Sequence, residues 1–401
     1  MTSEWHEVPL RELVGYISKG IAPSYAEEAS ETTIRVLNQK CNRNFRISYG
    51  DSRLHDTLKK KVPPERYVKP DDILINSTGA GTAGRIAQIE DVPSATTIDG
   101  HMTLIRSNGK VTQKFLGYAL KAHQWEVLQL DEGSTGQTEL NRDRLLDEIM
   151  INYPVSFDEQ NAIVCTLESI DRKLIVNEQL NDNLEQQAQA YFQELFVDNA
   201  DPEWTTGTIS DLGTVVGGST PSKAKPEYYT ESGIAWITPK DLSINKSKFV
   251  SHGENDITEL GLRNSSASLM PEGTVLFSSR APIGYIAIAA GEVTTNQGFK
   301  SVVPKPEIGT PFVYFFLKNT LPVIEGMASG STFKEVSGST MKNVPAVIPD
   351  AETLAKFSDF CAPIFAQQRI LEEQNQSLAT LRDNLLPKLM SGEIDVSSVH
   401  L

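Results

Sequence analysis

The 401 residues include 39% hydrophobic side chains, enough for two or three domains of roughly 150 residues, each with its own core. No uninterrupted apolar run approaches the roughly 20 residues of a membrane span, and Met1 to Trp5 lack the basic and apolar regions of a signal peptide, so a cytoplasmic protein without a membrane partner is expected. Cys41, Cys165 and Cys361 stand far apart, which excludes a disulfide framework or zinc ribbon and leaves ordinary core thiols; 37 basic against 52 acidic side chains, net −15, argue as a whole against a polyanionic partner.

Residues 1–155 carry short runs of Ile, Val, Thr, Phe and Tyr broken by Gly, Pro, Asn and Ser, which predicts a mainly β or α+β domain. Ser156 and Glu159 then have the spacing of a capping box. Beyond them Ile163, Leu167, Ile170, Leu174, Asn177, Asn181, Leu184, Ala188, Tyr191 and Leu195 alternate spacings of four and three, which predicts a helix over 156–198 with a coiled-coil seam. Pro202, in a linker over 199–203, releases the chain into a second β-rich domain over 204–349. A second helix and tail follow over 350–401, with Phe357, Phe360, Ile364, Gln367, Leu371, Gln374, Leu378, Leu381 and Leu385 on the same alternation. Forty residues from Phe157 to Phe196 make a rod of roughly 60 Å. The expected architecture is α+β: two mainly β domains, each followed by a long helix, the helices pairing as an antiparallel coiled coil. Leu167, Ile170, Leu174 and Leu184 would meet Ile364, Leu371, Leu378 and Leu381, and the amides Asn177, Asn181, Gln367 and Gln374 would fix the register.

That layout is an internal, pseudo-twofold repeat at about 195 to 201 residues. Trp5 is followed eight residues later by Leu13, as Trp204 is by Leu212. The run Pro70 to Ile75 answers Pro271 to Leu276, Ser77-Thr78 answers Ser278-Ser279, Thr96 to Gly100 answers Thr294 to Gly298, and Gly133-Ser134-Thr135 answers Gly330-Ser331-Thr332.

Divided along the chain, the charge is −2 over 1–156, −9 over 157–203, −1 over 204–350 and −3 over 351–401. The β domains are therefore nearly neutral and can each present a basic face. Lys40, Arg43 and Arg46 beside Phe45, Lys59 to Lys61 with Lys60 central, and Lys223 and Lys225 with Lys240 are the clusters that could do so. One motif, Gly79, Gly81 and Gly84 with Asp99 beyond, has dinucleotide-site spacing. It is rejected because Arg85 to Ile89 reads as a strand, whereas a pyrophosphate needs a helix N-terminus. Phosphate-loop, zinc-protease, serine-hydrolase and EF-hand motifs are absent, as are amino-methyltransferase Asn-Pro-Pro-Tyr segments and any visible metal cluster, so no catalytic or metal-ligating residue is assigned.

The run Leu385-Leu386-Pro387-Lys388-Leu389-Met390-Ser391-Gly392-Glu393-Ile394 resembles the C-terminal helix ending of the specificity subunits of type I restriction-modification systems. Trp204 to Leu212, Gly217 to Ser222, Ser279 to Gly284 and Thr294 to Gly298 are also similar to that family, and the resemblance covers essentially the whole chain. Gly20 to Ser24 and Asp99-Gly100-His101 depart from the usual turns. The resemblance implies a non-catalytic subunit whose two domains each read one part of an asymmetric, bipartite double-stranded DNA target. The helices would set the spacing and dock two modification subunits that methylate adenine. S-adenosylmethionine, ATP and Mg²⁺ would belong to the modification and restriction subunits, with no cofactor in this chain. Base edges and phosphates are read by Arg, Lys, Asn, Gln, Ser and Thr. The candidates are Ser77, Thr78, Arg85, His101, Thr135 and Gln137 in the first domain and Ser279, Arg280, Asn296, Gln297, Thr332 and Lys334 in the second. Three rivals remain open on sequence alone: a specificity chain for a single restriction-methylation enzyme, a two-headed protein-binding scaffold, and, last, a dinucleotide enzyme.

Overall fold

A computed structural model describes residues 4–79, 81–132, 139–330 and 334–396. The chain divides into two compact α+β units, one of residues 1–173 and 378–401 and the other of residues 174–377. The long helices Phe157–Gln193 and Ala351–Met390 lie within the expected spans 156–198 and 350–401, and each contributes one part to either unit.

In the first unit a sheet runs in the order Val14–Lys19, Met102–Ser107, Ile73–Asn76, Ile86–Gln88, all antiparallel. A second runs Thr96–Ile98, Thr33–Leu37, Arg53–Asp56, Tyr25–Ala26, its first pair parallel. Strand alternation explains the central run Ile73-Leu74-Ile75. Ile73 and Ile75 face a core shared with the helix Gln113–Ala122, while Leu74 faces the core below the second sheet, with Leu37, Ile98 and Met102. Such two-sided burial needs a continuous apolar run. The second unit repeats the device with Val275 and Phe277 on one side and Leu276 on the other, in a five-stranded sheet beside a four-stranded one. The strand at Ile86–Gln88, antiparallel to Ile73–Asn76, confirms that the Gly79 to Gly84 turn opens no helix.

Each core is completed by both long helices. Ile163, Val164 and Leu167 of the first helix join Leu386, Leu389 and Met390 of the second in the first unit. In the other unit Ala188 and Phe192 join Leu354, Phe357, Cys361, Ile364 and Phe365. Burying each large side chain contributes about 1.5–3 kcal/mol. Within the second unit Asn177 Nδ2 donates to Asn375 Oδ1 at 2.9 Å, Asn375 Nδ2 to the Leu174 carbonyl at 3.4 Å, and Gln368 Nε2 to the Asn181 carbonyl at 3.2 Å, so the segments run antiparallel.

Leu167, Ile170, Leu174, Ile364 and Leu371 are buried where expected, and Leu184 and Leu378 are half-buried. Leu381 is not: it is 46% exposed, and Gln367 is exposed too, while Phe360 and Gln374 sit at the edge of the seam, Phe360 with its ring centroid 4.5 Å from that of Tyr191 and Gln374 Oε1 accepting from Asn177 Nδ2 at 3.4 Å. Every second seam position of the second helix lies one residue later, at Cys361, Gln368, Asn375 and Arg382. Cys165, expected in the core, is exposed.

Helix starts are fixed by paired indoles. Ser156 Oγ accepts the Glu159 N–H at 3.4 Å, but the Glu159 carboxylate takes the Trp5 indole at 3.1 Å. Asp350 caps the second helix through the Thr353 N–H at 2.9 Å and takes the Trp204 indole at 2.9 Å; these bonds hold its carboxyl down at about 2.

The repeat is real, with a one-residue slip in three of its expected landmarks. Asp71 and Gly273 share a positive φ and the same backbone bond to Ile89 and Ala289. Ser77 N–H bonds the His101 carbonyl as Ser279 N–H bonds that of Gly298, both at 2.7 Å. Asp99 and Asn296 each accept, through Oδ1, the N–H two residues on. Thus Ser77 matches Ser279, and His101 matches Gly298. Gly133 to Thr135, Ser331 and Thr332 lie outside the described residues.

Candidate nucleic-acid interface

Loops at the ends of corresponding strands converge in both units. In the first, Asp99 is buried and its Oδ1 accepts the His101 N–H at 2.9 Å, an Asx turn that leaves the His101 ring exposed. Burial raises the Asp99 carboxyl; the His101 N–H, His101 and Arg53 oppose that rise. His101 Nδ1 meets Thr78 Oγ1 at 2.7 Å, and Thr78 Oγ1 lies 3.5 Å from Gln39 Oε1. Lys40, beside Gln39, is exposed, as is Arg43 in the hairpin Asn42–Ile47. That hairpin is tied to the site by Asn42, whose Nδ2 donates to the Arg85 carbonyl at 2.8 Å. Arg85 Nη2 donates to the Gly81 carbonyl at 3.1 Å and stays half-exposed. Lys60 Nζ reaches the Ala22 carbonyl at 2.9 Å, in the turn bonded to Ile98. Thr78, Arg85, His101, Lys40, Arg43 and Lys60 therefore share one rim. Ser77 does not belong to it: the residue is fully buried and its hydroxyl meets Thr103 Oγ1 at 2.6 Å. Thr135 and Gln137 lie outside the described residues.

The second unit builds its rim differently. Gln297 is exposed and its Oε1 accepts from Thr220 Oγ1, in the loop that carries exposed Lys223. Gly298 lies close against Pro239, next to exposed Lys240, whose ammonium pairs with Glu254 at 2.5 Å. Arg280 and Lys300 both approach Glu335, at 3.8 and 3.9 Å, with exposed Lys334 adjacent. Burial pushes the Lys300 ammonium below its ordinary range, against the pull of Glu335. Lys223, Lys240, Arg280, Gln297 and Lys334 thus come together. Ser279, like Ser77, stands off the rim: it is fully buried and donates to the Gly298 carbonyl at 3.1 Å. Asn296 buttresses its turn by accepting the Gly298 N–H at 2.8 Å. Thr332 lies outside the described residues.

Sequence reasoning missed Lys19, Gln39 and Glu139 in one unit and Thr220, Lys300 and Glu335 in the other. Lys19 directly precedes the Gly20 turn, a position held by Gly217 before Gly218, and that alignment is the signal that could have found it. Among the described residues no group of His, Cys, Asp and Glu could hold a metal ion, and no helix is long and apolar enough to cross a membrane.

The family model described as type I restriction modification DNA specificity domain matches residues 2–186 and again residues 202–381. The chain belongs to that family. The MjaIX specificity subunit of Methanocaldococcus jannaschii is 38% identical over 191 residues, 45% of this chain and 44% of that protein. The HindI specificity subunit of Haemophilus influenzae is 27% identical over 194 residues, 48% of this chain and 42% of that protein. Those matches span less than half the length of either relative. A putative MjaX specificity subunit of Methanocaldococcus jannaschii is 19% identical with 98% of this chain and 95% of that protein covered. The crystal structure of the S subunit of a type I restriction-modification system from M. genitalium has the same fold, with a TM-score of 0.60 at 18% identity over 97% of this chain and 96% of that one.

Proposed function

We propose that this specificity-family chain is a DNA-reading, non-catalytic subunit of a type I restriction-modification complex in the cytoplasm. Each unit reads one part of a bipartite, asymmetric duplex target. The helices that both units share set the spacing and dock two modification subunits; those subunits methylate adenine and, with restriction subunits, bring S-adenosylmethionine, ATP and Mg²⁺. The observation that carries this reading is the doubled match to a DNA specificity domain, with a different set of exposed polar side chains on the corresponding rim of each copy. His101, Arg85, Lys40 and Arg43 stand on one rim, and Gln297, Arg280, Lys223 and Lys334 on the other. Two different rims read two different half-targets.

A salt titration of the assembled complex on duplex DNA tests the reading. The affinity should fall linearly on a log–log plot as counterion release weakens. A complex that binds no duplex at low salt contradicts the proposal and favours a protein-binding scaffold.

A further inference from the structure

Both rims carry a carboxylate where a DNA-binding surface should avoid one. Glu139 forms an antiparallel bridge with Thr78, and the next N–H, of Leu140, donates to the Ser77 carbonyl at 2.8 Å. Glu335 forms the same bridge with Arg280, and the Val336 N–H donates to the Ser279 carbonyl at 2.9 Å. Since Ser77 and Ser279 match through their own backbone bonds, the two glutamates occupy one position of the repeat. Their side chains are 57% and 42% exposed.

Each glutamate has an ammonium within ion-pair distance, supplied from either of two paired strands, and Glu335 has the Arg280 guanidinium at 3.8 Å as well. Lys19 pairs with Glu139 and stands across the sheet from Thr103. Lys300 approaches Glu335 at 3.9 Å and stands across the sheet from Gly217. Lys19 and Gly217 match in the repeat, as do Thr103 and Lys300. The cation has therefore changed strands while the carboxylate has stayed. A half-exposed ion pair contributes only about 0–1 kcal/mol, too little to account for keeping the arrangement by two different routes. Beside phosphates a bare carboxylate is repelled, unless it accepts a hydrogen bond from a base; cytosine N4 is the donor that Glu reads in the major groove.

We propose that Glu139 and Glu335 are specificity-determining residues, each accepting a hydrogen bond from a cytosine amino group in its own half-target, with Lys19 beside one carboxylate and Arg280 and Lys300 beside the other. The assignment rests on the DNA-reading function proposed above. Glu139→Gln and Glu335→Gln, each in the full chain with its modification subunits, are tested by mapping methyladenine across the host genome. With wild type giving a bipartite motif, each variant should relax one cytosine position in one half only, admitting other bases roughly ten- to hundredfold more readily. The other half should be unchanged. A motif unchanged in both halves, or relaxed in both, overturns the proposal. If Gln abolishes methylation, Glu→Asp at the same position, which keeps the acceptor, must restore the original motif; loss in both variants overturns it too. A wild-type complex without a bipartite motif fails the underlying function instead, and the proposal with it.

Discussion

Asp171 in the first unit and Glu185 in the second fasten a β domain to the helices by the same kind of network. Asp171 Oδ2 accepts from Tyr118 at 2.9 Å and Lys121 at 3.2 Å, while Oδ1 accepts from Arg382 of the second helix at 3.1 Å. Glu185 accepts from Tyr314 at 3.1 Å and Lys318 at 2.5 Å and pairs with Lys248; Lys248 also donates to Gln368 of the second helix at 2.5 Å. Burial raises each carboxyl, and the cations outweigh it, so both titrate below their ordinary range. In both units, then, an acid of the most negative segment turns inward, as Glu159 and Glu168 also do towards Trp5 and Lys114. Part of the charge of residues 157–203 serves the chain's own assembly rather than solubility or partners. The units differ in how burial is spread: in the second, Lys248 has a side chain only 5% exposed while Glu185 and Lys318 are 21% and 34% exposed, whereas Asp171, Lys121 and Arg382 are evenly 11–18% exposed.

The largest effect is expected at Glu185. Replacing Glu185 with Ala strands a buried Lys248 and Tyr314 and should cost about 3–5 kcal/mol in denaturant unfolding. Leu386→Ala, in the first core, should cost about 2–5 kcal/mol by the same measurement. Asp171→Ala should cost less than Glu185→Ala, about 2–3 kcal/mol, because it strands no cation as deeply buried as Lys248. The Asp171 carboxyl is depressed when folded, so its contribution is present above its ordinary value of 3.8 and fades as pH falls below it. Asp171→Asn should therefore flatten the acid limb of a stability profile, and an unaltered limb contradicts the network. Smallest is Leu381→Ala, within about 0.5 kcal/mol, since that side chain faces solvent; a cost like that of Leu386→Ala would restore the seam expected from sequence.

That seam shows where sequence was legible. The first helix reads correctly from Ile163 to Asn177, because its seam is apolar as far as Leu174 and continues with Asn177, which bonds Asn375; further on Phe192 rather than Tyr191 enters the core. On the second helix, apolarity misleads. Gln368, Asn375 and Arg382 lie inward because each meets a polar partner there, while Ile370 and Leu381 remain outside. The rims were half legible for a similar reason. Exposed loop cations and His101 stand out by type, but Ser77 and Ser279, chosen for their hydroxyls, end buried strands whose backbone is already paired. Glu139 and Glu335 went unnoticed because acids seldom suggest a DNA surface, and only the bridges that match the two units single them out.

If the two rims read separate halves of one target, each half can be changed without the other. Mapping methyladenine in the host genome, with the gene intact, deleted, and with residues 1–155 exchanged for the corresponding domain of another family member, tests it directly. The motif should be asymmetric and bipartite, disappear on deletion and change in one half only on exchange. A motif that survives deletion, or changes in both halves on exchange, contradicts it.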